Sequence, residues 1–261
     1  MNNLFLGSSG FVGRYLTQYL RNLGEEVREF DIVRTTFEDC RYDRLPLDNI
    51  DRVYFLAFRV GGSNYLYDPS TQKEQLDWNL KILTNTMDQL RNIPFVFVSS
   101  QLAEDCDTVY GVLKRLGEVW TQLNGGRVIR FWNVYGAYED KSIKSHVVAD
   151  FIHQALNTGV IRMMTDGQEK RQLIHAEDVC RALYASFDYQ GVFDASTAQW
   201  NSIYEVAELV SKYTDCQIMR GSKSGKTVMI ENKPLICQPT ISLDEGIKRT
   251  VELFGKKNVR H

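Results

Sequence analysis

Residues 7–13 read GSSGFVG, and their position constrains the chain more than any other feature. They follow directly on NLFL, an apolar run that reads as a strand. They open FVGRYLTQYLRNLG, in which Val12, Tyr15, Leu16, Tyr19, Leu20 and Leu23 recur at helical spacing and Gly24 marks a stop. A GxxGxxG turn between strand and helix lets the backbone approach a phosphate closely. The helix N-terminus then faces that anion with unpaired N–H groups and a positive dipole end. EEVREFD reads as a second strand ending in Asp31, roughly 20 residues past the turn, where a carboxylate can accept bonds from an adenosine ribose. Gly7, Gly10 and Gly13, with Phe11 and Val12 between them, are therefore candidate dinucleotide-binding residues. Asp31 favours NAD, because its charge repels a 2′-phosphate. Arg34, three residues on, can cradle that phosphate, so NADP stays open.

Strand and helix signals go on alternating. DRVYFLAF (51–58) reads as a strand buried on both faces, followed by the helix LDWNLKILTNTMDQLRN, the strand PFVFVSS, the helix TVYGVLKRLGEVWTQL and the strand GRVIRFWNVYG. This alternation predicts an α/β fold, a Rossmann-type doubly wound parallel sheet with right-handed crossovers, over residues 1–135. Beyond residue 136 the pattern loosens. Helical signals recur in SHVVADFIHQALNTG, AEDVCRALYASF, SIYEVAELVSKYT and LDEGIKRTVELFG, and CQIMRGSKSGKTVMIENKP reads as a short hairpin and loop. Residues 136–261 are expected to form a small α/β C-terminal substrate lobe, with some later segments returning to the first domain. GSKSGKT (221–227) imitates a phosphate loop. It has three residues between its glycines where that loop needs four, so it reads as a polar loop.

With 25% charged and 43% apolar residues, the chain has the make-up of an ordinary soluble globule. A formal net charge of −2 leaves no basic excess for nucleic acid or an anionic membrane. The five cysteines are widely spaced and odd in number, without metal-ligand spacing, which implies reduced thiols, a cytoplasmic location and no metal site. No signal peptide or apolar run of membrane length is visible, and the fold is expected to begin with MNNLFLG.

Tyr110 is the only tyrosine followed four residues later by a lysine, Lys114. Thirteen tyrosines and thirteen lysines scatter about 0.65 such pairs by chance, so the spacing alone carries nothing. Its context carries more. The fourth strand ends in Ser99-Ser100, and Tyr110 and Lys114 share one face of the next helix. A phenol titrates near pH 10, and making it a base at neutral pH takes about 4 kcal/mol. A neighbouring ammonium and a positive nicotinamide ring can supply that in a dry cleft, while a serine hydroxyl holds the reacting oxygen. This trio suits hydride transfer coupled to proton transfer at an alcohol or ketone.

On these residues the chain resembles the extended short-chain dehydrogenase/reductase family, the NAD-dependent epimerases, dehydratases and reductases of nucleotide sugars. The resemblance implies that Ser100, Tyr110 and Lys114 are the catalytic triad, with Lys114 also binding the cofactor. It adds Asp43 as an adenine contact, Leu56, Ala57 and Phe58 as the cofactor-facing strand exit, and Asn79 as a buttress counted with the cofactor site. It sets Trp132 near the nicotinamide, Asn133 near the sugar diphosphate and Arg171 on a phosphate. The match of VGG (60–62) and SHVVADFI (145–152) to GDP-L-fucose synthase-like enzymes makes His146 a candidate proton donor; as a polar residue at a helix start, it can equally contact solvent or the diphosphate. His175 reads as structural, His153 as facing outward or lining the lobe interface, and His261 as a tail residue.

Several residues depart from that pattern. QLAEDCDTV between Ser100 and Tyr110 is much shorter than usual. Gln101 and Leu102 replace the acid pair of a 4,6-dehydratase, and Leu102 stands where a GDP-fucose synthase has its basic cysteine. Phe58 is large where the family is small. The expected partner is a nucleoside-diphosphate sugar, handled at C4 by a 4-epimerase or a 4-keto-6-deoxy-sugar reductase. A dinucleotide-sensing regulator on the same fold is the alternative. The resemblance also implies a homodimer built on a four-helix bundle of LDWNLKILTNTMDQL and YGVLKRLGEVWTQL.

Overall fold

The computed structural model describes residues 1–35, 37–137 and 146–258. Strand β1 (Asn2–Leu6) runs into the glycine turn and helix α1 (Phe11–Asn22) leaves it. Strands β2 (Glu26–Phe30) and β3 (Arg52–Phe55) flank β1, both parallel to it. The one-turn helix α2 (Ser63–Leu66) leads through a short 3-10 turn to α3 (Gln72–Gln89) and then β4 (Phe95–Ser100). A second one-turn helix, α4 (Leu102–Asp105), precedes α5 (Val109–Leu123) and β5 (Arg127–Phe131). The rest of the chain forms β6 (Asn133–Tyr135), α6 (Val147–Thr158), β7 (Val160–Arg162), β8 (Lys170–His175), α7 (Ala176–Ala185), β9 (Val192–Ala195), β10 (Trp200–Ser202), α8 (Ile203–Thr214), β11 (Gln217–Met219) and α9 (Leu243–Asn258).

Six strands make one parallel sheet in the order β2-β1-β3-β4-β5-β9. This is the expected α/β fold, with chain order reversing between β1 and β3. Successive strand residues alternate between the two faces. Leu4, Leu6, Phe55, Phe95 and Phe97 pack against Ile82, Leu83 and Met87 of α3 and Leu113 of α5. Phe5, Tyr54, Val96 and Ile129 pack against Leu16 and Leu20 of α1 and Val179 and Leu183 of α7. A third core joins α6, α8 and α9 above the small sheet β10-β8-β6. The reversal leaves a crevice at the carboxyl ends of β1 and β3, where the two crossovers depart to opposite faces.

Three elements differ from their sequence reading. β3 stops at Phe55, because its last bond is Leu56 N to Leu6 O at 2.9 Å and β1 turns away at Gly7; residues 56–58 therefore leave the sheet. GRVIRFWNVYG is two strands. Trp132 N still bonds Ala195 O at 3.3 Å, and the next residue begins β6, paired with β8 in the small sheet. The expected hairpin after Cys216 is absent: β11 pairs in parallel with β7, and residues 220–242 form an irregular strap. That strap bonds Asp194 N to Pro234 O at 3.0 Å and so covers the outer edge of β9.

Candidate active site

A cavity of about 870 Å³ opens over the crevice. At one end lie Gly7, Gly10, Phe11, Val12, Gly13 and Asp31, as expected from the turn. Gly7 has φ +88°, and a Cβ there would stand 2.7 Å from Ala57 N, so the turn presses on the exit of β3. A Cβ on Gly13 would stand 2.5 Å from the carbonyls of Gly7 and Ser8, so only glycine lets the helix start this close. Asp31 is buried. It accepts Ser9 N on one oxygen and Val33 N on the other, each at 2.9 Å, and still lines the cavity. Glu38 and Asp39 join it there. Three carboxylates at this end disfavour a 2′-phosphate. Arg34 does not line the cavity; it is held by Glu29 at 2.9 Å and Glu38 at 3.7 Å. These residues fit NAD: a close-packed glycine cradle, a helix N-terminus and an acid for the ribose.

Two residues assigned to the cofactor sit behind the wall. Asp43 accepts Asp39 N at 2.7 Å and shapes the loop, while Asp39 and Cys40 reach the cavity in its place. Asn79 is fully buried, accepting Arg59 N at 2.6 Å and donating to Arg59 O at 3.1 Å. It clamps the backbone after Phe58 without reaching the cavity. Sequence reasoning also missed Arg14 and Trp78, which do line it.

Ser100, Tyr110 and Lys114 line the same cavity together with Leu56, Ala57 and Phe58 at the exit of β3. Thr108 caps α5, its hydroxyl accepting Gly111 N at 3.0 Å, and this fixes the helix register that presents Tyr110 and Lys114 together. The Ser100 hydroxyl neighbours the Tyr110 phenol and favours its ionised form. Ser100 Oγ donates to Gln101 Oε1 at 3.0 Å and accepts Leu102 N at 3.3 Å. Burial pushes the phenol pKa well above its ordinary value, and the Ser100 hydroxyl only partly opposes it. The expected lowering of Tyr110 by Lys114 is therefore absent. Lys114 donates to Val98 O at 2.7 Å, and its Nζ lies 3.7 Å from the centre of the Phe58 ring and 5.5 Å from that of Tyr110. Burial lowers its pKa to about 7, with Glu118 opposing.

Beneath these residues runs a buried ionic chain that no sequence pattern announced. Ser99 Oγ donates to Glu118 Oε1 at 2.6 Å, and Arg130 grips both oxygens of Glu118, at 2.7 and 2.8 Å. Arg130 also binds Glu104 of α4, which lies 3.5 Å from Lys233 of the strap.

The remaining wall comes from Trp132, Asn133, His146, Arg171 and Trp200, together with Val228 and Ile230 of the strap. Trp132 donates to Asp194 at 2.8 Å and meets Trp200 edge-to-face at 5.7 Å. Asn133 donates to Gln172 O at 3.1 Å. Arg171 donates to the carbonyls of Lys170 and Lys226, at 2.8 and 3.1 Å. His146 occupies the N-cap position of α6. The other described histidines lie away from this wall: His175 caps α7 by accepting Glu177 N at 3.3 Å, and His153 packs on Phe254 with ring centres 4.8 Å apart. His261 and Ser145 lie outside the described residues. Among the described residues there is no His/Cys/Asp/Glu cluster that could hold a metal, and no helix long and apolar enough to cross a membrane.

The model of the NAD-dependent epimerase/dehydratase family matches residues 4–193, and the chain belongs to that family. A putative UDP-glucose 4-epimerase from Methanocaldococcus jannaschii is 24% identical over 164 residues, 57% of this chain and 54% of that protein; the match thus spans about half of that relative's length. UDP-glucuronic acid decarboxylase 1 of Arabidopsis thaliana is 22% identical over 96% of this chain and 69% of that protein. Among solved structures, an epimerase from Methanothermobacter thermautotrophicus superposes with a TM-score of 0.86 at 22% identity, covering 99% of this chain and 93% of that one.

Proposed function

We propose that this chain transfers hydride at C4 of a nucleoside-diphosphate hexose, as a 4-epimerase or a 4-keto-6-deoxy-sugar reductase. One observation carries the reading: Ser100 and Tyr110, with Lys114 one helical turn beyond Tyr110, line the same cavity as the glycine turn and Asp31. In the oxidative direction Tyr110 Oη takes the proton of the C4 hydroxyl while the hydride leaves C4, and Ser100 Oγ holds the oxygen as it becomes a carbonyl. In the reductive direction Tyr110 returns the proton. Bound NAD supplies the hydride acceptor, and its positive ring offsets the burial that holds Tyr110 protonated. Lys114 serves the cofactor ribose. Arg171 and Asn133 suit the diphosphate, and His146 stands where a second proton donor can act.

Residues 1–135 then carry most of the dinucleotide site and residues 136–261 most of the sugar-nucleotide wall. Exposed Val112, Leu116, Val119 and Leu123 of α5, beside Leu76 and Leu80 of α3, support a homodimer through a four-helix bundle. Five free cysteines support a reducing, cytoplasmic setting.

Nucleotide released from the purified protein by heat, and C4 inversion or NADH oxidation with nucleoside-diphosphate hexoses, test the reading. Tyr110→Phe is expected to abolish turnover and leave NAD bound; unchanged turnover would overturn it. The contact of Lys114 with Phe58 favours one second reading, a dinucleotide-binding regulator, in which NAD binds and no sugar nucleotide turns over.

A further inference from the structure

Lys114 is 2% exposed, yet among the described residues no carboxylate faces its ammonium at contact distance. Glu118, one turn further along α5, is held by Ser99, Arg130 and Arg115. Among the described residues Nζ donates one hydrogen bond, to Val98 O at 2.7 Å, and the surrounding rings are Phe58 at 3.7 Å, Phe97 at 4.9 Å and Tyr110 at 5.5 Å. An ammonium in such a place is held by the electron-rich faces of the rings. Phe58 is the nearest of them and lines the cavity at the exit of β3, where it also meets Tyr110 edge-to-face at 5.9 Å. Its backbone is pinned on both sides. Ala57 lies against Gly7, and Asn79 holds both the N–H and the carbonyl of Arg59. What can move here is the ring, which borders open cavity.

We propose that Phe58 is a positioning residue whose ring holds the Lys114 ammonium against Val98 O, and that a dinucleotide seated across Gly7 and Ala57 turns the ring aside and frees the lysine for its ribose. The inference rests on the NAD reading above. It makes Phe58, large at a position where a small residue would deprive the Lys114 ammonium of its nearest ring, the element that couples cofactor entry to assembly of the Ser100–Tyr110–Lys114 site.

The test follows the Lys114 side chain itself. Protein labelled with carbon-13 at lysine Cε is compared with and without NAD, with the Lys114 signal assigned from Lys114→Arg. Rings this close displace the Hε signals upfield. The cofactor-free wild type should show Lys114 as the most upfield lysine, Phe58→Leu should lose most of that displacement, and Phe58→Tyr should keep it. NAD at saturation, with binding followed by calorimetry, should move the wild-type signal toward its place in Phe58→Leu, and NAD should associate several-fold faster with Phe58→Leu. An ordinary lysine position in the free wild type, or a signal that stays fixed while calorimetry registers NAD binding, overturns the proposal and leaves the functional reading standing. Absence of NAD binding overturns both.

Discussion

Lys114 shows how far one residue's setting departs from what its spacing implies. Tyr110 and Lys114 share a helical face, and the i, i+4 pattern that made them candidates is real. The folded chain nevertheless surrounds both with apolar groups, so each is driven toward its neutral form. This has a consequence for stability. Folded Lys114 releases its proton near pH 7, whereas the unfolded side chain holds it to about 10.4. Between those values the unfolded state binds more protons, so the contribution of Lys114 makes stability rise with pH. Below pH 7 the folded chain carries the full cost of a buried ammonium. Lys114→Met removes that titration. Its stability advantage over the wild type should shrink by about 2 kcal/mol between pH 7 and 9, since each pH unit changes it by at most about 1.4 kcal/mol. Urea unfolding of both proteins at the two pH values measures this, and parallel stabilities would show an ammonium that water reaches.

At the scale of elements, the legible part of the chain was the part with local period. The glycine turn, α1, the buried strand FVFVSS and the helix bearing Tyr110 all emerge from patterns within one element, and the sheet orders them as alternation requires. Contacts set by the fold escaped. Nothing local distinguishes Asp39 and Cys40, which reach the cavity, from Asp43, which stands behind them. The strap is irregular, so no period announces that Val228 and Ile230 return to the site. Arg130 lies in RVIRF as one charge among apolar neighbours, and its partners Glu118 and Glu104 come from two different helices. That chain links α4, formed by the short stretch after Ser100, to the strand and helix beneath it. Arg130 and Glu118 have side-chain exposures of 2% and 0%, so losing one partner strands the other in a medium that cannot solvate it. Arg130→Met should destabilise the protein by about 3–5 kcal/mol, and pairing it with Glu118→Gln should restore part of that loss. Denaturant midpoints of the two variants decide it: a double variant no more stable than the single one would mean that the cost lies in packing.

For the whole molecule, the two layers of helices differ in what they leave uncovered. α1 and α7 cover one face of the sheet and adjoin the lobe. α3 and α5 cover the other, and α5 exposes an apolar row on its outer side: Val112, Leu116, Val119 and Leu123 follow one another at helical spacing, with Leu76 and Leu80 exposed on α3 among its charged residues. The i, i+4, i+7, i+11 spacing of the first four puts them on one face of α5, with Leu123 80% exposed and Val112 50%. A second copy related by a two-fold axis would lay its own α3 and α5 across this stripe and exclude water from both. Because the same helix carries Tyr110 and Lys114 on its inner side, that packing would also brace the face that presents them to the cavity. The wild type should therefore sediment at twice the 30.1 kDa chain mass. Leu116→Glu together with Val119→Glu places four carboxylates in the symmetric interface, each costing several kcal/mol if buried unpaired, which exceeds what the apolar contact returns. The double variant should sediment as a monomer with its circular dichroism unchanged. A wild type that is monomeric at micromolar concentration, or a double variant that remains dimeric, would assign this face to something other than a second copy of the chain.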